Sequence, residues 1–213
     1  MDKKPNRTAG FTLIELLVAI SILAIVAVLG WRGLDSIVRA RVSLTSELEQ
    51  VRGMQLAFAQ MQSDCDHMVN AAMVPGRAPL LVEPGRVVLV RTVLADDQPS
   101  RLQVVAYELR GGTLTRRESE ATRDLNALND LWSIVITPAN PNPPVVLQSG
   151  VQAMTMRVWI SDGNGWRLPG ADGQTGAATA SNAAAPGPTG LEVALLLPGR
   201  TSAMTKVFLL GAV

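Results

Sequence analysis

The hydrophobic pattern begins with one long apolar run near the start of the chain. From Phe11 to Trp31 the only ionisable side chain is Glu15. A helix over these positions would be roughly 31 Å long at about 1.5 Å per residue, which matches the hydrocarbon core of a bilayer. The pattern therefore predicts a transmembrane helix over residues 11–31, with Trp31 as an anchor at the membrane interface.

Beyond Trp31, apolar residues recur every three or four positions, as on one face of a helix. The clearest stripe consists of Leu44, Leu48, Val51, Met54, Phe58, Met61, Cys65 and Met68. Intervening polar residues, Gln60 and Asp64 among them, are assigned to the opposite face. We predict an amphipathic continuation of the first helix over residues 32–73, whose upper half packs on a sheet. Four apolar residues lower in this segment are predicted to contact partner helices, namely Leu34, Ile37, Val38 and Val42.

Prolines and glycines between Pro75 and Gly85 end the helical pattern, and β-branched segments follow. The predicted strands are Arg86–Leu94, Leu102–Leu109, Thr113–Arg117, Leu131–Ile136, Val145–Gln148, Val151–Ser161, Leu191–Leu197 and Lys206–Leu210. Gly111-Gly112 joins the second and third of them into a hairpin. Residues 74–213 are predicted to form one β-rich domain, with a mobile Gly- and Ala-rich loop at about 168–190. The fold class is α+β, a long N-terminal helix packed against antiparallel sheet.

Composition and motifs give little sign of catalysis. The formal net charge of +1, without a basic run beyond the first ten residues, argues against nucleic acid as a partner. The single cysteine, Cys65, excludes an intramolecular disulfide, and the single histidine, His67, is interpreted as an exposed side chain. Asp162-Gly163-Asn164-Gly165 is interpreted as a turn rather than a calcium loop, and the polar cluster around Asp124 as helix capping and a solvated loop. We expect no catalytic site, no cofactor and no metal site.

The segment before the apolar run is short and polar. It carries Lys3, Lys4 and Arg7 against Asp2, which favours a cytoplasmic N terminus and translocation of everything after Trp31. An ionised carboxylate at Glu15 is unfavourable in hydrocarbon by several kcal/mol, so this side chain needs the interface, a proton or a cation. One interpretation is a capping box, in which Thr12 and Glu15 satisfy amides at the helix start. The other interpretation is that Glu15 is functional.

Two alternative interpretations of the apolar run remain open at this point. An ordinary signal peptidase could cut near Val28-Leu29-Gly30 and release a soluble domain, although Glu15 within the apolar core argues against that. An uncleaved signal anchor would have the same hydropathy. It would not explain the spacing of Gly10, Phe11 and Glu15.

Gly10-Phe11-Thr12-Leu13-Ile14-Glu15, after a basic leader and before an apolar helix, resembles the class III signal of type IV pilins and type II secretion pseudopilins. The resemblance implies that a prepilin peptidase removes residues 1–10 as a leader and methylates the new amine of Phe11. It also implies that Glu15 pairs with that amine in a neighbouring subunit. The chain would then be a single-pass protein of the bacterial inner membrane with a periplasmic domain.

The later strands resemble those of one subtype. The hairpin with Tyr107, Gly111-Gly112, Leu114 and Arg116 is similar to that of J-type minor pseudopilins of type II secretion, as are Val151–Trp159, Gly165-Trp166 and Pro188–Val193. A true type IV pilin often closes a C-terminal loop with a disulfide, which this chain cannot form. The resemblance implies a structural subunit that joins I-type and K-type minor pseudopilins at the pseudopilus tip, with further contacts to H-type and major pseudopilins. It would prime assembly and support export of folded proteins across the outer membrane.

Two other functions stay open from the sequence. One is a minor pilin of a type IV pilus, serving adhesion, DNA uptake or motility. The other, from a different class, is a signal-anchored periplasmic enzyme.

Overall fold

The computed structural model describes residues 10–95, 98–137, 143–161, 165–169 and 187–211. Residues 1–9 of the predicted leader lie outside the described residues. The same holds for 162–164 of the Asp-Gly-Asn-Gly turn and for 170–186 of the predicted loop at 168–190. Those predictions therefore stay predictions.

The first element is one continuous helix, α1, over Leu13–Asp66. Gly30 and Gly33 both lie within it and do not interrupt it. By backbone contacts the chain divides into two units, Met1–Gln50 and Val51–Val213. Within the first unit the apolar side chains of α1 are exposed, and α1 is long and apolar enough to cross a membrane. Together with the antiparallel sheets described below, this helix confirms the predicted α+β class.

Within the second unit, the last turns of α1 belong to the core. Met54, Ala57, Phe58, Met61 and Cys65 are buried on one helix face. The predicted stripe is correct from Met54 onwards. Below that point the stripe is exposed, with Leu44 and Leu48 at 59% and 70%, in agreement with the prediction that only the upper half of this segment packs on a sheet.

Regular helix ends at Asp66, before the predicted limit of 73. The chain turns there to pair with a strand, since the Val69 amide donates to the Val90 carbonyl at 3.0 Å. A short 3-10 helix, Ala71–Met73, follows, and the Asn70 side chain accepts from the Met73 amide at its start.

A five-stranded antiparallel sheet follows in simple sequence order. Its strands are β1 (Leu80–Glu83), β2 (Arg86–Ala95), β3 (Gln98–Arg110), β4 (Thr113–Glu118) and β5 (Val145–Ser149). The predicted β3–β4 hairpin is confirmed. Gly111 and Gly112 form the turn with φ of 56° and 78°, values that residues with a Cβ rarely adopt.

A helix, α2 (Leu125–Ile136), lies where a strand was predicted over Leu131–Ile136, so that prediction is wrong. Asp124 caps the helix by accepting from the Asn126 amide at 2.8 Å, which confirms the capping interpretation. The buried residues Leu128, Trp132 and Val135 are spaced by four and three positions, as one helix face requires.

A second antiparallel sheet has four strands in the order β7-β6-β8-β9. They are β6 (Ala153–Ile160), β7 (Gly165–Arg167), β8 (Pro188–Leu196) and β9 (Met204–Leu209).

Alternating residues of the five-stranded sheet pack into two different hydrophobic cores. Val87, Leu89 and Tyr107 pack with α1 and the second sheet, whereas Val88 and Val104 pack under α2. The upper part of α1 is thus enclosed by both sheets.

Candidate functional site

The predicted cleavage point lies in an exposed segment before α1. Gly10 and Phe11 precede the first helical residue, Leu13, and Phe11 is 84% exposed. A Cβ built on Gly10 would meet no atom within 4 Å. The Gly10–Phe11 bond therefore lies in exposed backbone ahead of the helix.

Thr12 and Glu15 form a reciprocal capping box. The Glu15 amide donates to the Thr12 hydroxyl at 3.3 Å, and the Thr12 amide donates to the Glu15 carboxylate at 3.3 Å. The Thr12 hydroxyl also donates to that carboxylate at 3.1 Å. Within the described residues Glu15 has these donors and no cation. The capping interpretation holds, and among the described residues the negative charge of Glu15 has no cation beside it.

The four predicted partner-contact residues are all exposed. Leu34, Ile37, Val38 and Val42 have exposed fractions of 58%, 67%, 51% and 64%. They continue the exposed apolar surface that begins at Phe11. Such a surface on one helix is typical of an element that a membrane or another helix covers.

A second acid of α1, Asp64, has the opposite environment, and the sequence prediction placed it wrongly. Its carboxylate is fully buried and accepts from Arg91 Nη1 at 2.8 Å and from Arg116 Nε and Nη2 at 2.8 and 3.2 Å. The Tyr107 hydroxyl and the Gln60 amide also donate to it. The network ties α1 to β2, β3 and β4 through one charge.

Outer residues complete this network. Arg116 Nη1 donates to Glu118 at 2.6 Å, while Arg91 donates to the Gln103 side-chain carbonyl at 3.0 and 2.8 Å. Gln103 in turn donates to the Ser119 carbonyl at 2.8 Å. Two guanidinium groups therefore face two carboxylates, and the polar atoms of this part of the core are paired.

The network also holds its members in fixed protonation states. Burial raises the pKa of Tyr107, and the nearby Asp64 charge raises it further. Burial lowers the pKa of Arg116, but its hydrogen bonds to Asp64 and Asp64's charge outweigh that effect, so the net shift of this pKa is upward. Tyr107 thus remains a hydrogen-bond donor and Arg116 a cation at any physiological pH.

Comparisons with known families decide the assignment. Residues 5–31 match the family described as the prokaryotic N-terminal methylation motif, and residues 32–210 match that of type II secretion system (T2SS), protein J. The chain belongs to the type II secretion system protein J family. It is also similar to a Klebsiella pneumoniae protein named type II secretion system protein J. Identity is 28% over 122 residues, which cover 52% of this chain and 62% of that relative. The chain thus spans less than two thirds of that relative's length.

The family assignment confirms the resemblance drawn from the Gly10–Glu15 motif and the Tyr107/Arg116 hairpin. Within this protein J chain the two hairpin residues are direct cross-strand partners, which brings both to Asp64. The sequence contained a signal for Asp64. It lies three residues after Met61 and four before Met68, so helical spacing places it on the buried face.

The other two candidate groups, Cys65 and His67, follow Asp64 within three residues. His67 Nδ1 lies 2.8 Å from the Ser63 carbonyl oxygen. Cys65 is 1% exposed, and burial, helped by the charges of Asp64 and Asp66, raises its pKa to about 12. In the described part of the chain no group of three His, Cys, Asp or Glu side chains could hold a metal ion.

Proposed function

We propose that this chain is a minor pseudopilin of the type II secretion system, a structural subunit rather than an enzyme. The observation that carries the proposal is the succession, in one chain, of an N-terminal methylation motif and a protein J domain. The exposed apolar surface of α1 supports it, because a subunit that assembles through its first helix needs such a surface.

Processing is the first part of the proposal. A prepilin peptidase cuts between Gly10 and Phe11 and methylates the Phe11 amine. The N terminus is cytoplasmic, α1 crosses the inner membrane, and the β-rich unit is periplasmic. The exposed, non-helical backbone at Gly10 and the excess of cations in residues 1–10 support this arrangement.

Assembly through Glu15 is the second part. Cleavage creates a cationic amine on Phe11, and the Glu15 carboxylate of a neighbouring subunit pairs with it. The support is that Glu15 has hydroxyl and amide donors but no cation among the described residues, in a segment where an unpaired charge is costly. This pairing would fix the axial stagger of adjacent subunits.

Partner choice is the third part. The subunit joins I-type and K-type minor pseudopilins in a complex at the pseudopilus tip, where it also meets H-type and major pseudopilins. Leu34, Ile37, Val38 and Val42 contact the partner helices. The complex primes assembly of the pseudopilus and supports export of folded proteins across the outer membrane.

Intact-mass analysis of the membrane-extracted chain tests processing. We expect a mature chain that begins at Phe11 and carries one added methyl group, and an unprocessed chain for Gly10→Val. A mature chain that begins at Met1 or at Trp31 contradicts the proposal.

Copurification of the full-length chain with candidate I-type and K-type subunits tests the assembly role. Val38→Asp should weaken recovery of the partners, whereas the control Ser36→Asp, on another side of the helix, should not. Selective binding of type IV minor pilins would favour a pilus subunit instead. Hydrolase activity of the isolated periplasmic domain would favour the enzyme.

A further inference from the structure

An arginine occupies the middle of the exposed apolar face in the lower part of α1. At about 100° per residue, five apolar side chains lie within about 60° of Arg41 around the helix axis. They are Leu34, Ile37, Val38, Leu44 and Leu48, and with Arg41 and Thr45 we name them the Arg41 face. The five apolar residues are between 51% and 70% exposed.

Arg41 differs in its surroundings from the neighbouring Arg39. Arg39 forms an i,i+4 ion pair with Asp35, about 160° around the helix from Arg41. In the described residues the guanidinium of Arg41 has no hydrogen-bond or ion-pair partner, and only its backbone carbonyl accepts, from Thr45 at 2.9 Å. Between residues 34 and 48 no Asp or Glu lies on the Arg41 face.

Covering this face requires a carboxylate. A helix that packed on the five apolar residues would remove water from Arg41 as well, and a desolvated guanidinium is unfavourable unless an anion pairs with it. A helix that covers this face would therefore have to be apolar with one acid at the level of Arg41.

Two other occupants fit less well. A second copy of this chain, packed face to face in parallel register, would bring two Arg41 side chains together, which is repulsive. Lipid headgroups lie too close to Trp31 to reach Arg41. Arg41 is about 15 Å beyond Trp31 along the helix, whereas the headgroup layer is only about 5–7 Å thick on each side.

We propose that Arg41 forms an interhelical ion pair with an Asp or Glu on the apolar face of a different pilin-like subunit. This pair sets the axial register between the two helices to within one helical turn. The inference rests on the proposed function, since it names the chemistry of the partner at the assembly helix.

A charge-swap experiment tests the proposal with the full-length chain coexpressed with the candidate I-type and K-type subunits. Arg41→Glu should lower partner recovery by at least roughly tenfold, because losing one charge of a desolvated pair weakens binding by more than that. The matched control Arg39→Glu should leave recovery unchanged. Converting one acid on the partner's apolar helix face to Arg should restore recovery with Arg41→Glu and with no other variant.

The outcomes separate the inference from the proposed function. If the wild-type chain recovers neither subunit, the proposed partners are wrong and the inference fails with them. If wild type recovers a partner and Arg41→Glu does so equally, or if no acid swap restores binding, only the ion pair is overturned. Mature-chain levels in the membrane are compared for each variant. Where Arg41→Glu does not accumulate, Arg41→Gln replaces it, with an expected loss that is smaller but measurable.

Discussion

Two carboxylates of α1 lie among apolar residues, and they differ in whether the chain itself supplies cations to them. Asp64, in the β-rich unit, is fully buried and accepts from two arginines, a tyrosine and a glutamine of the same chain. Glu15, in the N-terminal unit, is exposed and has only Thr12 as a donor among the described residues. The first acid is satisfied by folding. In the part of the chain that the structure describes, the second has no cation, which is the property expected of an acid that pairs with another subunit.

The largest expected effect comes from removing the buried acid. Asp64→Ala leaves the buried Arg116 and the half-buried Arg91 without their shared anion, which should lower the free energy of unfolding by about 3–5 kcal/mol. Denaturant unfolding of a chain that begins at Arg32 measures this change. The control Asp66→Ala removes a neighbouring acid that is less buried than Asp64 and accepts a hydrogen bond from Gln62. It should lower the free energy of unfolding by less than about 1 kcal/mol. Equal losses for the two variants would contradict the assigned role of Asp64.

A smaller effect is expected from one donor of the same network. Tyr107→Phe keeps the ring in the core and removes the hydroxyl that donates to Asp64, so the carboxylate loses one partner. We expect a loss of about 1–3 kcal/mol in the free energy of unfolding. In the Asp64→Ala background the same change should cost much less, because the two residues act together. Additive losses would show that the hydroxyl acts independently of Asp64.

Alkaline pH should weaken the fold through the same region. The folded-state pKa of Cys65 is raised to about 12 from an ordinary value of 9.0, chiefly by burial. The folded state therefore holds its proton more tightly than the unfolded state. The contribution of this pKa difference to the free energy of unfolding is fully present below pH 9. Above pH 9 it is lost at up to about 1.4 kcal/mol per pH unit. Unfolding measured between pH 8 and 10 should show this slope, and Cys65→Ala should flatten it.

The smallest effect is expected on the surface of the N-terminal unit. The ion pair of Asp35 and Arg39 is exposed, so Asp35→Ala should change stability by no more than about 0.5 kcal/mol. Helix content measured by circular dichroism should be unchanged. A loss comparable to that of Asp64→Ala would remove the contrast between the two regions.

Much of this fold follows from sequence pattern, and the errors have physical causes. The β3–β4 hairpin was predictable because Gly111-Gly112 supplies the positive φ that the turn needs. The apolar run Leu131–Ile136 is rich in Ile and Val and favours a strand by propensity, yet the cap at Asp124 and the spacing of Leu128, Trp132 and Val135 determine a helix. Packing of α2 against the five-stranded sheet therefore outweighed the strand propensity of this run.

The candidate sites were predictable to different degrees. The Gly10–Glu15 motif is contiguous, so sequence alone found it. The Asp64 network joins residues 27, 43 and 52 positions apart, and only the strand register brings them together. Leu44 and Leu48 continue the same helical period but are exposed, because period alone does not reveal at which residue a helix leaves the sheets that cover it.

The most direct test of the contrast between the two acids is partner recovery for Glu15→Gln in intact membranes. Subunits cross-linked to the full-length chain are counted, and unfolding of the β-rich unit serves as the control. We predict that Glu15→Gln loses most of the cross-linked partners while the domain unfolds at the wild-type denaturant concentration. Wild-type levels of cross-linked partners with Glu15→Gln would contradict the assignment of this carboxylate to assembly.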